Sequence, residues 1–268
     1  MSDYLAAFSL GAWKTVESGY YECEVGAVSA KRFRPRRAIS LKESVIHTLK
    51  CGKNPIIAEI KVASPSGRPL RENVDALSVA SAMKNGGAAG VSVITEPKWF
   101  KGSLNTLQIL QRRISIPLLM KDFIVSRVQV DAAYRAGADA VLLIEAIFDN
   151  GYSDAGLREM IDYAHSLGLE VLLEAHTEDE FRNAVSSKAD LIGINNRDLR
   201  TLNVDLHVAE RLLRKYPTPN RLTVAESGIS SPSHVRRLKA FGAKAFLVGS
   251  AVMSARSVEE KVRSLVEA

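Results

Sequence analysis

Cysteine, paired metal-binding histidine, long apolar runs and nucleotide-binding glycine patterns are scarce or missing, and each gap excludes a class of protein. Only Cys23 and Cys51 occur in 268 residues, too few for a disulfide framework. The five histidines are His47, His165, His176, His207 and His234. None forms an HxxxH pair or stands with cysteines at zinc spacing, so no metal is expected. The longest apolar stretches, such as Ala138–Ile144 with Asp139 inside it, fall well short of the roughly 20 residues of a membrane span. The first 20 residues have no basic segment ahead of their apolar part. They do not read as a signal peptide, and the cytoplasm is the expected location. Neither GxGxxG nor GxxxxGK followed by Ser or Thr occurs, so dinucleotide and nucleoside-triphosphate folds gain no support.

What is present is ordinary globular composition: 46% hydrophobic and 25% charged residues, with 17 Gly and 9 Pro, which excludes disordered and collagen-like chains. Lys plus Arg is 36 against 30 for Asp plus Glu, a net charge of +6. That balance fits an anionic small substrate or a nucleic acid and decides between neither.

From about residue 54, short apolar runs alternate with amphipathic stretches. The expected strands are Pro55–Ile60, Gly90–Ile94, Pro117–Met120, Ala140–Ile144, Glu170–Leu173, Leu191–Ile194, Leu222–Ala225 and Ala245–Val248. Nearly continuous apolar runs are what a parallel sheet covered on both faces requires. Arg127–Ala136, Glu178–Ser186 and His234–Phe241 read as helices. Ser103, Ser153, Thr177 and Ser231 are expected at or near N-caps, and Gly137, Gly168 and Gly242 after helix ends. Eight such units predict a (β/α)8 barrel (a TIM barrel), with an open doubly wound sheet as the alternative. Ser40–Lys50 reads as a further helix, with Ser40 and Glu43 at capping-box spacing. We therefore expect one domain over 1–268, with 1–54 as an N-terminal helical extension. The run KRFRPRR, Lys31–Arg37, reads as a solvated connector.

In a barrel, the carboxyl ends of the strands share one mouth. Reading only those positions gives Glu59 and Lys61, Thr95, Lys121-Asp122-Phe123, Glu145, Glu174, Asn195-Asn196-Arg197, Glu226-Ser227-Gly228 and Gly249-Ser250. Each ionisable group among them costs desolvation at the end of a buried strand. Their convergence points to chemistry. Glu59 and Lys61 have period-2 spacing and share a face. Lysines in a low-dielectric mouth can act as acids, and neighbouring carboxylates as bases, without a metal. The small residues of ESG (Glu226–Gly228) and VGSA (Val248–Ala251) allow backbone N–H groups to approach a phosphate, with tight-turn geometry alone as the alternative.

In order along the chain stand IIAEIKVASPSG (Ile56–Gly67), VSVITEPKWFKGS (Val91–Ser103), IPLLMKDFIV (Ile116–Val125), AGADAVLLI (Ala136–Ile144), LGLEVLLEAH (Leu167–His176), IGINNRDLRTLNVD (Ile192–Asp205), VAESGI (Val224–Ile229) and FLVGSAVM (Phe246–Met253). Together they resemble the indole-3-glycerol-phosphate synthase family over nearly everything from about residue 36. The resemblance implies ring closure, decarboxylation and dehydration of 1-(2-carboxyphenylamino)-1-deoxyribulose 5-phosphate in tryptophan biosynthesis, with no cofactor. It implies a catalytic set of Glu59, Lys61, Lys121, Glu174, Asn195 and Ser227. Lys121 is the implied acid and Lys61 a second acid and anchor. Glu174 is the implied base, Glu59 orients the lysines or shares in proton transfer, and Asn195 and Ser227 hold sugar oxygens. The implied substrate-binding set is Ser64, Phe100, Arg197, Glu226, Gly228, Gly249 and Ser250. In it Arg197 takes the anthranilate carboxylate, Phe100 the ring, and Ser64, Gly228, Gly249 and Ser250 the phosphate.

The chain departs from the family pattern at Val62 and Ala63, where loop 1 is less basic, and at Glu145, where an apolar pocket residue is expected and the carboxylate is left to turn outward or to pair with a lysine. Two other readings remain: a neighbouring phosphate-binding barrel such as phosphoribosylanthranilate isomerase, and a basic nucleic-acid binder supported only by charge. A phosphorylated small molecule is the expected partner, with no nucleic acid and no membrane. Monomer and homodimer stay open.

Overall fold

In the computed structural model, which describes residues 3–26, 38–63 and 74–268, three helices precede the first strand: α1 (Tyr4–Glu17), α2 (Tyr20–Gly26) and α3 (Leu41–Lys50). Then β1 (Ile56–Ile60), α4 (Ala76–Asn85), β2 (Gly90–Ile94), α5 (Leu104–Gln111), β3 (Leu118–Lys121), α6 (Arg127–Ala136), β4 (Ala140–Ile144), α7 (Glu145–Asp149) and α8 (Leu157–Ser166) follow. The rest is β5 (Glu170–Ala175), α9 (Glu178–Ser186), β6 (Leu191–Asn195), α10 (His207–Lys215), β7 (Thr223–Glu226), α11 (Pro232–Ala240), β8 (Ala245–Val248), α12 (Ser250–Met253) and α13 (Val258–Val266). Each strand pairs in parallel with the next, and β8 pairs with β1. The fold is a (β/α)8 barrel.

Strand parity divides the core in two. Ile56, Ala58, Val91, Leu118, Val141, Val171, Ile192, Ala225 and Phe246 pack between the strands and the helical ring. Residues of the other parity, Ile57, Leu119, Leu142, Leu172, Leu191, Val224 and Leu247, fill the barrel itself. Both faces of every strand are thus covered, which explains the unbroken apolar runs. Lys61, Lys121, Glu174, Asn195 and Glu226 continue the interior parity past the last apolar layer. That is why β3, β5, β6 and β7 extend one or two residues beyond the runs expected from the sequence.

Local signals account for most helix ends. Ser103, Thr177 and Ser231 cap α5, α9 and α11 through their side chains, and Gly137 ends α6 with φ of 83°. Ser153 does not cap α8. Gly156 holds that position, and Ser153 accepts only from the nearby Ala155 N–H. Two parts of the N-terminal region meet opposite ends of the barrel. α3 lies across the amino-terminal end, where Leu41 and Val45 are fully buried. There the Ser40 hydroxyl donates to Glu170, and the Lys42 N–H reaches the same carboxylate at 2.9 Å. Gly90 starts β2 beneath it, and a Cβ at that position would lie 2.6 Å from Leu41 Cδ1. α1 lies at the other end, tied by the Trp13 indole N–H to the Tyr152 carbonyl at 2.7 Å. Lys31–Arg37 and Ser64–Gly67 lie outside the described residues. No helix among the described residues is long and apolar enough to cross a membrane.

Candidate active site

A cavity of about 420 Å³ opens at the carboxyl end of the barrel. Its floor is ionic. Lys121 Nζ lies 3.0 Å from Glu174 Oε2 and 3.3 Å from Glu226 Oε2. The other Glu174 oxygen accepts from Asn195 Nδ2 at 2.7 Å, and Asn195 Oδ1 accepts from the Arg197 N–H at 2.9 Å. Glu59, Lys61, Arg197, Ser227, Gly228, Gly249 and Ser250 line the same cavity. Of the expected site residues, all but Ser64, which lies outside the described residues, therefore border one space.

Two glycines clear room for the carboxylates. A Cβ on Gly193 would stand 2.3 Å from Glu226 Oε1, and one on Gly249 would stand 2.4 Å from Glu59 Oε1. Ser227 and Gly228 follow β7 with successive positive φ angles of 62° and 77°. This left-handed pair turns the chain sharply at the rim, a conformation that glycine adopts readily and serine at a cost.

The two lysines differ electrostatically. Burial pushes the Lys61 ammonium below its ordinary value; Glu59 opposes that, and Arg197 and Lys121 add to it. Burial also acts to lower Lys121, but the attraction of Glu174, Glu226 and Glu59 prevails and raises it. A depressed lysine is thus present, and it is Lys61; Lys121 is held firmly cationic. Burial raises the Glu226 carboxyl against the pull of Lys121.

One wall is aromatic. Phe8 of α1 stacks on Phe123 with centroids 4.6 Å apart and meets the Trp99 edge at 5.4 Å. Phe100 lies 6.1 Å from Phe123, with Lys61 Nζ 5.2 Å above its ring. Glu96 shapes that loop by accepting the N–H groups of Lys98, Trp99 and Phe100.

Phe8 and Glu96 border the site without any signal in the sequence that places them there. No pattern in the sequence announces that α1 crosses the mouth. Asp122 and Phe123 stand among the strand-end positions expected at the mouth but have no place in the implied catalytic or binding sets; Asp122 borders the cavity although it follows Lys121 with the opposite parity. Glu145 starts α7 and is buried away from this cavity. It pairs with no lysine, and Asn183 Nδ2 donates to its Oε1 at 3.0 Å. The ring pocket keeps Leu142 and Ile144 as its β4 lining, so the departure at Glu145 does not alter it. No cluster of metal-ligating side chains occurs among the described residues.

A (β/α)8 barrel whose mouth joins amines, carboxylates and an aromatic wall defines an enzyme of acid–base chemistry on a small anionic molecule. The family model described as indole-3-glycerol phosphate synthase matches residues 12–265. The chain belongs to that family. It is 41% identical over 255 residues to an indole-3-glycerol phosphate synthase of Methanocaldococcus jannaschii, covering 94% of this chain and 90% of that one. It is 42% identical over 217 residues to that of a Roseiflexus species, covering 78% and 79%. Among solved structures, it resembles thiamine phosphate pyrophosphorylase from Pyrococcus furiosus with a TM-score of 0.57 at 19% identity, covering 84% of this chain and 96% of that one. The N-acetylmannosamine-6-phosphate 2-epimerase of Clostridium perfringens gives 0.59 at 16%, covering 83% and 93%. At such identities the likeness concerns the fold.

Proposed function

We propose that this enzyme converts 1-(2-carboxyphenylamino)-1-deoxyribulose 5-phosphate to indole-3-glycerol phosphate in the cytoplasm. Family membership supports the reaction, and one observation carries its assignment to this cavity: Lys121 lies between Glu174 and Glu226 beside a second amine, Lys61.

The substrate is an anion at both ends. Arg197 suits its carboxylate because a guanidinium binds that group in a fork. Ser227, Gly228, Gly249 and Ser250 border the end of the cavity assigned to its phosphate. The arene stacks among Phe8, Phe100 and Phe123, which leaves the ring carbon that bears the carboxylate facing the ribulose carbonyl.

Attack of that carbon on the carbonyl places negative charge on oxygen. Lys121, a lasting cation in a buried site, stabilises that charge and supplies a hydrogen bond or a proton to it. Loss of carbon dioxide returns the electron pair to the ring. Dehydration then needs an acid at the departing hydroxyl and a base for a proton. Lys61, whose proton is held less tightly, suits the acid. Glu174, oriented by Asn195, suits the base. Glu59 acts on both lysines through its charge, favouring their protonated forms. The test is a direct assay on the arylamino-ribulose phosphate without added metal, read as indole absorbance and fluorescence. Lys121→Ala is expected to reduce turnover at least 100-fold with the circular dichroism of the wild type; wild-type rates in that variant reject the assignment.

A further inference from the structure

Beside the ionic floor, a second buried polar cluster joins the N-terminal region to the end of β3. Asp122 is 4% exposed and Tyr21, from α2, is 1% exposed. The Tyr21 hydroxyl donates to Asp122 Oδ2 at 2.9 Å, and the Thr95 hydroxyl donates to the same oxygen at 2.6 Å. Asp122 Oδ1 accepts the Phe123 N–H at 2.8 Å. Gln129 of α6 donates from Nε2 to the Tyr21 oxygen at 3.1 Å and to the Phe123 carbonyl at 2.9 Å. Thr95 grips the segment twice, because its own N–H donates to the Lys121 carbonyl at 3.1 Å. The cluster therefore holds the backbone immediately before and after Asp122. Those neighbours are the cation on the cavity floor and the aromatic ring on its wall.

We propose that Asp122, clamped by the Tyr21 and Thr95 hydroxyls, is a positioning residue that sets the Lys121 ammonium and the Phe123 ring for the lyase reaction. The inference rests on the lyase reading of the cavity. Asp122 meets three donors and no acceptor, so the ionised carboxylate is the form that the cluster fits. Burial raises the carboxyl to about 7, opposed by the hydrogen bonds from Thr95 and Tyr21 and reinforced by Glu96. The titratable groups facing it are Tyr21 on α2 and Glu96 in the loop after β2, and α6 presents the neutral Gln129. Protonation below neutral pH gives Asp122 a hydrogen with nowhere to go and loosens the clamp.

Steady-state kinetics on the arylamino-ribulose phosphate between pH 5.5 and 9 test this, with the wild type, Tyr21→Phe and Asp122→Asn in parallel. Tyr21→Phe keeps the ring that fills the site and removes one donor. It is expected to lower kcat about 10- to 100-fold with KM unchanged. The acid limb of its kcat profile moves to higher pH, because a donor that favours the carboxylate is lost. Asp122→Asn keeps the volume and drops the buried charge. Its amide N–H groups meet donors and no acceptor, so it is expected to unfold at lower urea than the wild type, to be slower by a similar factor and to lack that acid limb. Tyr163→Phe removes a hydroxyl that donates to Asp131 far from the cavity and is expected to leave kcat alone. Turnover by the wild type with unimpaired Tyr21→Phe and Asp122→Asn overturns this inference alone. A well-folded wild type without turnover overturns the lyase reading on which it rests.

Discussion

Gly193→Ala is the most direct test of how the ionic floor is built. Gly193 lies in β6 opposite Glu174 on one side and Val224 on the other. It shares interior parity with Leu191 and Asn195. An alanine Cβ would stand 2.3 Å from Glu226 Oε1 and 3.2 Å from the Glu174 Cα, whereas ordinary contact begins near 3.4 Å. The Glu174 backbone belongs to the strand ladder and has little freedom to retreat. The Glu226 carboxylate must therefore yield by about 1 Å, and its partner oxygen is already 3.3 Å from Lys121 Nζ. The pair opens. Overpacking a close-packed interior costs about 1–3 kcal/mol, a fall of about 2–4 °C in Tm for each kcal/mol in a chain of this size. A displacement of that size in a catalytic constellation costs about 100-fold in rate. Urea unfolding and steady-state kinetics read the two effects separately. KM is expected to change little if Glu226 acts through its pairing with Lys121 and not by gripping the substrate. Wild-type kcat in this variant refutes the claim that Glu226 must lie against β6 for Lys121 to work.

Glu226 also gives a stability signature. Its carboxyl is raised from 4.5 to about 8 by burial, so between these values the folded protein holds a proton that the unfolded chain has released. Stability is therefore full below about pH 4.5 and is lost as pH rises through 8, by at most about 1.4 kcal/mol per unit. Urea midpoints are expected to fall more steeply from pH 5 to 8 in the wild type than in Glu226→Gln, and parallel curves contradict this. Ser227→Gly relieves a non-glycine residue at φ 62°. Part of the strain of about 1–2 kcal/mol is offset by glycine's greater entropy in the unfolded chain. A net gain of about 0.5–1 kcal/mol with reduced activity is expected by the same two assays, and an unchanged kcat removes the Ser227 hydroxyl from the reaction.

The eight parallel strands were legible in the sequence because burial on both faces leaves apolar runs, while their closure into a barrel instead of an open sheet is a matter of pairing between β8 and β1 that the runs do not record. The ionic site was legible for a related reason. Lys61, Lys121, Glu174 and Glu226 each stand just beyond such a run, where a charge has to be explained. What the sequence hid depends on contacts between distant segments. Phe8 reads as one more apolar residue of an amphipathic helix, and only the packing of α1 makes it a pocket wall. Asp122 reads only as one more charge at a strand end, and its meaning comes from Tyr21, 101 residues earlier. At Glu145 the structure takes the outward one of the two placements that the departure left open. α7 begins at that residue, and its first turn carries the side chain outward to Asn183. Ser153 falls three residues short of the cap because the chain after α7 runs on to Gly156, the residue that precedes α8.

The barrel's interior is layered by purpose. Its lower part is filled by Ile57, Leu119, Leu142, Leu172, Leu191 and Val224, which is what stability asks for. Above them, the floor of the cavity has three carboxylates, Glu59, Glu174 and Glu226, at most 4% exposed. Glu59 Oε2 and Glu226 Oε1 have no hydrogen-bond partner there. Buried carboxylates are a poor way to hold a core together, since hydrophobic replacements of similar volume often stabilise. Gly193 and Gly249 deepen the contrast. Glycine weakens a strand, and Gly193 is in one, yet side chains at these two positions would occupy the space of Glu226 and Glu59. Selection for stability alone would fill both sites and remove the acids. Their joint presence means that this layer is built around proton-holding groups, with room kept for their oxygens. The same logic separates the two halves of the barrel experimentally: enlarging a residue in the lower layer should cost stability first, whereas filling Gly193 or Gly249 should cost rate first.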